Sequence, residues 1–303
     1  MRPGAKASAA LVVALGVALA LALGATGCAS ARHSSTTASG RARVVAAFYP
    51  VAAAAQRVGG SCVAVTNLTP AGAEPHDLEL IPDQVDEIQD AAVVFVMGDG
   101  FQPAVERAAD DRDGPTVKLL DGLRSTRSTD PHVWLDPVRY SKLVDEVTAA
   151  LVKATPKCRA QIEANAQRYQ HEIARVGQEY ATGLARCKRH TIVTAHEAFG
   201  YLAARYGLIQ EGITGISPDE EPNAARLADL ADLVHAKGIT TIFTEELVSP
   251  RVADALAREA GGVKTETLNP LEGLTDREIA HGDDWASVMG ANLAKLRVAL
   301  GCT

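Results

Sequence analysis

"PKCRAQIEANAQRYQHEIARVGQEYATGLAR", residues 156–186, carries a single apolar stripe: Ile162, Tyr169, Ile173, Val176, Tyr180 and Leu184 recur at spacings of seven, four, three, four and four. A stripe of this kind is the buried face of an α-helix. No proline falls between residues 157 and 186. The pattern therefore predicts one long helix over residues 156–187, on the order of 45 Å at about 1.5 Å per residue. A coiled coil would need the register to persist for longer than this segment holds it. A rigid strut between two lobes fits its length.

Outward from the strut, short β-rich runs alternate with amphipathic stretches on both sides. Before it come "VVAAFY" (44–49), "CVAVTNL" (62–68), "AVVFVMG" (92–98) and "TVKLL" (116–120). After it come "HTIVTAH" (190–196), "IQEGIT" (209–214), "TTIFTEE" (240–246) and "VKTETL" (263–268), and then the helical "DWASVMGANLAKLRVAL" (284–300). Strands separated by helices imply crossover units and parallel sheets. The expected fold class is α/β, with two lobes, each a small mostly parallel sheet wrapped by helices, joined by one long rigid helix. The N-terminal lobe would span 43–155, the linking helix 156–187 and the C-terminal lobe 188–303. A chain of 303 residues exceeds the usual size of one core, which agrees with two lobes.

The chain is 47% hydrophobic and 22% charged, ordinary for a globular protein, and its net charge of -7 with no basic stripe excludes a nucleic-acid surface. At the start, Arg2 and Lys6 precede the apolar run "ASAALVVALGVALALALG" (7–24). This charged, apolar, small-residue order is that of a secretory signal peptide, residues 1–27. As a transmembrane helix the run is marginal, because it is rich in Ala and Gly and ends at "ATGC" (25–28). That ending resembles a lipoprotein box, with Ala25 where Leu is favoured, and implies an acylated Cys28. The expected location is extracytoplasmic, anchored to the cell membrane through Cys28, with residues 28–42 as a flexible Ser/Thr/Ala/Gly-rich tether.

Four cysteines remain: Cys62, Cys158, Cys187 and Cys302. An even number in an exported chain suggests two disulfides, with three pairings possible. Cys302 follows the last helix of the second lobe and Cys187 precedes that lobe's first strand, which favours Cys187–Cys302 and leaves Cys62–Cys158. Cys158 and Cys187 bracket the strut at about 40 Å, far beyond the ~7 Å Cα limit of a bridge.

Of 8 histidines, three sit just beyond expected strands: His76 in "EPHDLEL", His132 in "DPHVWLDP" and His196 in "TAHEAFGYL". Open α/β sheets bind ligands outside the carboxyl ends of their strands, so the three converge on one crevice between the lobes. Their separations are too long for a zinc knuckle or an HExxH helix. His33, His171, His190, His235 and His281 read as solvated surface.

"AAFYP", "LTPAGAEPHDLEL", "DPHVWLDP", "TAHEAFGYLAARYGL", "GISPDEEPNAARLADL", "TIFTEE" and "TLNPLEGLT" occur in this order. The set resembles the solute-binding proteins of zinc and manganese ABC importers and covers residues 43–300. The resemblance implies metal-ligand roles for His76, His132 and His196 and a fourth, carboxylate ligand from the second lobe. Asn269 stands where some members have Asp, whereas members with the "LNPLE" wording use its glutamate, here Glu272. Glu246 is a reserve ligand. Between the first two histidines many zinc members carry a His/Asp-rich loop; "ADDRDGPTVKLLDGLRSTRSTD" (109–130) contains no histidine, so that loop is absent or reduced.

Three neutral imidazoles and one carboxylate suit Zn²⁺ better than the oxygen-rich shells preferred by Mn²⁺. Glu74, Asp77 and Asp136 read equally as groups that orient the ligands and as helix caps. The implied role is capture of Zn²⁺ and delivery to a membrane permease driven by an ATPase, with no enzymatic activity, by a monomer. Two alternatives are a zinc-dependent hydrolase, with Glu197 as its base, and a metal-binding surface adhesin.

Overall fold

The computed structural model describes residues 35–123 and 129–303. The expected signal peptide (1–27), Cys28 and the tether as far as residue 34, including His33, lie outside the described residues. The chain runs β1 (Ala42–Ala46), α1 (Tyr49–Gly59), β2 (Val63–Asn67), α2 (Pro82–Asp90), β3 (Val93–Val96), α3 (Pro103–Asp110) and β4 (Thr116–Lys118). Helices α4 (Pro137–Ala154) and α5 (Arg159–Gly183) follow. The second alternation is β5 (Thr191–Thr194), α6 (Gly200–Arg205), β6 (Ile209–Gly212), α7 (Ala224–Lys237), β7 (Thr241–Thr244), α8 (Arg251–Glu259) and β8 (Lys264–Thr267), closed by α9 (Asp276–His281) and α10 (Trp285–Leu300).

The strands form two four-stranded sheets, ordered β2-β1-β3-β4 and β6-β5-β7-β8. Every pairing in both is parallel. In each, the chain crosses from one side of the first strand to the other, so both sheets have a switch point beside β1 and β5. The central strands are buried on both faces, as "VVFV" of β3 and "TIFT" of β7 are throughout, which is why they read as unbroken apolar runs.

Expected and observed elements differ at their ends. Pro50 opens α1, so Tyr49 starts a helix and does not end a strand. Residues 35–41 of the expected tether double back: Arg43 donates to the Ser35 carbonyl, Thr36 bridges Ala42, and a turn through Gly40 (φ 77°) reverses the chain. The linking helix is shorter than 156–187. A 3₁₀ turn over Pro156–Cys158 precedes it, and the α-helix comprises 25 residues ending at Gly183, about 37 Å at 1.5 Å per residue.

That helix is also not a lone strut. The 18 residues of α4, which the periodicity of the following segment overshadowed, pack along α5 as a helical hairpin. Tyr140 and Tyr169 join the two helices through their hydroxyls at 3.0 Å, and Gly177 lies so close to Pro137 that an added Cβ would sit 3.3 Å from its ring. One continuous core runs from the first sheet through this hairpin to Phe199, Leu202, Trp285 and Leu296 of the second lobe. A separate smaller core, with Val193, Ile242, Leu230 and Leu256, lies between the second sheet and α7–α8. The lobes therefore share packed side chains, which opposes a wide hinge motion.

Helix α9 lies where a polar turn was expected. Thr275 accepts from the Glu278 amide while the Glu278 carboxylate accepts from the Thr275 amide, so "TDRE" is a capping box that the sequence displays. Among the described residues no helix is long and apolar enough to cross a membrane.

Cys62 is bonded to Cys158 and Cys187 to Cys302, with sequence separations of 96 and 115. The first fastens β2 to the start of α5; the second fastens the segment before β5 to the chain after α10. Replacing both cysteines of either bridge by alanine should lower unfolding stability by about 2–5 kcal/mol, read from denaturant melts under oxidising conditions.

Candidate metal centre

Both sheets direct their carboxyl ends toward one buried cluster, but only His196 sits directly past a strand; His132, expected just beyond one, lies well beyond the end of β4 at Lys118 and is placed by the turn that opens α4. His76 follows β2 in a loop with Pro75, and His132 precedes the 3₁₀ turn Val133–Leu135 that leads into α4. His196 lies two residues past β5, and Glu272 lies in the Pro-containing loop after β8.

The structure brings His76, His132, His196 and Glu272 together, with one potential ligand atom from each within 4.8 Å of the others. Oε1 of Glu272 lies 3.2 Å from Nε2 of His76, 3.0 Å from Nε2 of His132 and 3.2 Å from Nε2 of His196. The Nε2 atoms of His132 and His196 are 3.2 Å apart. Ligands on a tetrahedral Zn²⁺ with bonds of about 2.0–2.1 Å are separated by about 3.3 Å, so these spacings fit the edges of such a shell. Oε2 of Glu272 is buried with no hydrogen-bond partner among the described residues, an orphan that a cation would satisfy. The side chains of His132, His196 and Glu272 are 0–1% exposed and that of His76 is 10% exposed, so solvent reaches the cluster on the His76 side.

A second layer of carboxylates orients the rings. Nδ1 and the backbone amide of His132 meet Oδ1 of Asp130 at 2.7 and 2.9 Å. Nδ1 of His196 meets the Glu245 carboxylate at 2.7 Å, and the His196 amide donates to it at 3.0 Å. Each Nδ1 thus carries the proton in its carboxylate contact, which leaves Nε2 facing the cluster. For His76 the orienting group is Glu74, whose Oε1 accepts from the His76 amide at 3.0 Å. The ring of His76 packs edge-on against Phe101.

The Glu272 loop is braced from within its own lobe. Asn269 accepts from the Leu271 amide at 2.7 Å and donates to Glu278 at 2.9 Å, while Asn292 of α10 pairs with both backbone groups of Asn269. Leu271 adopts the left-handed conformation, φ 58°, which L-residues avoid unless their surroundings hold them there. From the other lobe, Trp134 donates its indole N–H to the Pro270 carbonyl at 2.8 Å, and Trp285 donates to the Trp134 carbonyl at 2.9 Å.

Asp130 and Trp134 were not singled out in the sequence, and Glu245 was read only as ending, with Glu246, a strand that faces the crevice. Asp130 stands two residues before His132, and Glu245 is the inward member of the alternating pair at the end of β7. Glu246 is half-buried and outside the cluster. Asp136 caps α4 through the Val138 amide at 3.0 Å and pairs with Arg205, so of its two readings the cap holds. Asp77 meets Asp219 of the second lobe. The amide of Glu197 bonds the Gly215 carbonyl, and its side chain lies against Gly212, outside the four-donor cluster. His171, His190, His235 and His281 are exposed.

The cluster's charges are tightly linked. Burial pushes the Glu272 carboxyl up, but the charge of His196 and hydrogen bonds from His132, His196 and His76 outweigh it and hold it well below the carboxylate range. For His196, burial disfavours the cation, yet the Glu272 charge and the Glu245 carboxylate raise it to about 11. Burial likewise opposes a cationic His132, and hydrogen bonds with Asp130 and Glu272 raise it nonetheless. Burial and the neighbouring Glu272 charge raise Glu74 to about 8.

Two matched parallel sheets facing a site of three histidines and a carboxylate define a two-lobed protein of the α/β class with a site that could hold a metal ion. The chain belongs to the ZnuA family, described as "Zinc-uptake complex component A periplasmic", which matches residues 44–299. It is 38% identical over 281 residues to the zinc-binding lipoprotein AdcA of Streptococcus pneumoniae, covering 86% of this chain and 56% of AdcA, so it spans a little over half of that relative's length. It is 33% identical over 302 residues to the high-affinity zinc uptake system protein ZnuA of Bacillus subtilis, covering 92% of this chain and 94% of that one. The crystal structure of the Zn(II)-bound ZnuA-like domain of S. pneumoniae AdcA superposes with a TM-score of 0.75 at 37% identity, covering 86% of this chain and 99% of that domain.

Raised histidines bind protons that a metal must displace, whereas the depressed Glu272 is already an anion. Metal affinity should therefore rise with pH by about tenfold per unit for each proton displaced, and should still be rising above pH 7 because His196 is raised to about 11. Competition titrations between pH 6 and 9 read this slope; a plateau from pH 6.5 upward would contradict it. Asn269→Ala should lower unfolding stability by about 1–3 kcal/mol, because it strands the Leu271 amide and Glu278 in a buried setting.

Proposed function

We propose that the chain captures Zn²⁺ outside the cytoplasm with His76, His132, His196 and Glu272 as its four ligands, and delivers it to a membrane permease powered by an ATPase. The observation that carries this reading is the convergence of four donor atoms, three of them imidazole nitrogens, within 4.8 Å of one another in a nearly dry site, with the Glu272 oxygen 3.0–3.2 Å from all three nitrogens. A nitrogen-rich shell of low coordination number favours Zn²⁺ over Mn²⁺, which takes more oxygen ligands. Binding by the relatives named above agrees with it: AdcA is described as a zinc-binding lipoprotein and the B. subtilis protein as part of a zinc uptake system.

Two further points belong to the same reading. Both halves of the site come from one chain, so a monomer suffices. Acylation of Cys28 would hold the domain at the membrane surface, where a captured ion is passed on; the intact mass of the mature protein measures it. A hydrolase would need an open metal position for water, and in this reading Glu272 takes that fourth place, which its position among the three histidines supports.

The deciding experiment is elemental analysis of protein purified without chelator, followed by titration with Zn²⁺ and Mn²⁺. One tightly bound zinc per chain and weaker manganese are expected; a preference for manganese, or no stoichiometric metal, overturns the proposal. Free Zn²⁺ at roughly a thousand times Kd should add about 4 kcal/mol to stability, seen as a rise in Tm. Glu272→Ala should weaken Zn²⁺ binding by about tenfold or more, whereas Asn269→Ala changes it several-fold at most.

A further inference from the structure

The loop that supplies Glu272 has two kinds of support, and they differ in what they connect. Asn269, Glu278 and Asn292 all belong to the second lobe, so their bonds shape the loop and are indifferent to where the first lobe stands. The bond from Trp134 to the Pro270 carbonyl crosses from the segment that carries His132 to the segment that carries Glu272. It lands two residues before the carboxylate, immediately before left-handed Leu271.

Trp134 is itself fixed on several sides. It is fully buried, packs edge-on against Phe48 at 4.8 Å and lies 5.1 Å from the His132 ring. Its own carbonyl accepts from Trp285, which stacks on Tyr140 of α4 at 4.6 Å. The result is a relay of two indole donors, α10 to the 3₁₀ turn to the Glu272 loop, that crosses the lobe boundary twice.

We propose that Trp134 is a positioning residue that sets the residence time of the bound ion, by holding the strained Leu271–Glu272 turn in register with the histidines of the first lobe. It touches no ligand atom of the cluster and acts through Glu272. While the bond is made, the backbone that carries the carboxylate stays tied to the first lobe; once it is lost, only the bonds within the second lobe hold the Leu271–Glu272 turn, and the turn can shift away from the first lobe's histidines. Trp285 supports the same geometry one step further away. The inference rests on the zinc-capture reading.

The test is a double-mutant cycle on the full mature chain, with Zn²⁺ dissociation followed by transfer to an excess of chromogenic chelator. Trp134→Phe keeps a buried ring and removes the donor, and it should speed dissociation about fivefold, the factor for a hydrogen bond of ordinary strength. In a Glu272→Gln background the same change should alter the rate by less than about twofold, because the group it positions is already altered. Trp285→Phe should give a smaller acceleration in the same direction. Circular dichroism and Tm of the metal-free proteins check that each variant is folded.

An unchanged rate in Trp134→Phe overturns the inference. So does an equal acceleration with and without Glu272→Gln, which would place the effect in packing around His132. If wild-type protein binds no zinc, the capture reading fails and this inference with it. If wild type binds zinc tightly and Glu272→Gln weakens it while Trp134→Phe does nothing, only the inference fails.

Discussion

A carboxylate taken out of water must be met by positive charge, and in this protein that carboxylate is Glu272. Its side chain is 1% exposed, one of its oxygens contacts three imidazoles and the other has no hydrogen-bond partner among the described residues. An isolated buried anion of this kind is costly, and here the Glu272 charge in turn raises His132 and His196 against their own burial. On the proposed reading, one cation at the centre would replace protons there, with the carboxylates Asp130 and Glu245 holding the rings of His132 and His196.

Holding these groups together requires that the two sheets keep a fixed relation. The hairpin of α4 and α5 and the core it shares with both lobes provide that, helped by the hydroxyl of Tyr180 on the Met289 carbonyl of α10. Because the core is continuous, ligands from opposite lobes remain close even without a hinge that closes over them. On the proposed reading, ion exchange would proceed through local change at the exposed side, where His76 sits in a loop with Pro75 and Gly72, or through release of the Glu272 turn. Within a rigid frame, small loops near the ion set the rates.

Much of the α/β class was legible because buried parallel strands appear as short apolar runs and the helices between them keep a 3.6-residue period. The three histidines were legible because chemistry-bearing side chains in such folds collect at the carboxyl ends of strands; "TAHEA" directly follows one, whereas "EPHD" and "DPHVW" lie in longer segments beyond β2 and β4. Helix α4 was overlooked because its pattern continues almost directly into α5, separated only by Pro156, and α9 because a six-residue helix offers too few turns for periodicity to register. The capping box "TDRE" was the available signal for α9.

By itself the sequence determined which residues can ligate a metal, which strands lie inside and where the chain turns, since these follow from residue type and local spacing. Only the tertiary structure decided that Glu245 and not Glu246 faces His196, that Asp130 serves His132, that Asp136 caps α4, and that Trp134 reaches across to Pro270. The contacts of Glu245 with His196 and of Trp134 with Pro270 join residues far apart in the chain, whereas Asp130 and Asp136 each act two residues along it, where one carboxylate has more than one local role open to it. Local spacing carries no information about the first and leaves the second ambiguous, so the packing of the two lobes settles both.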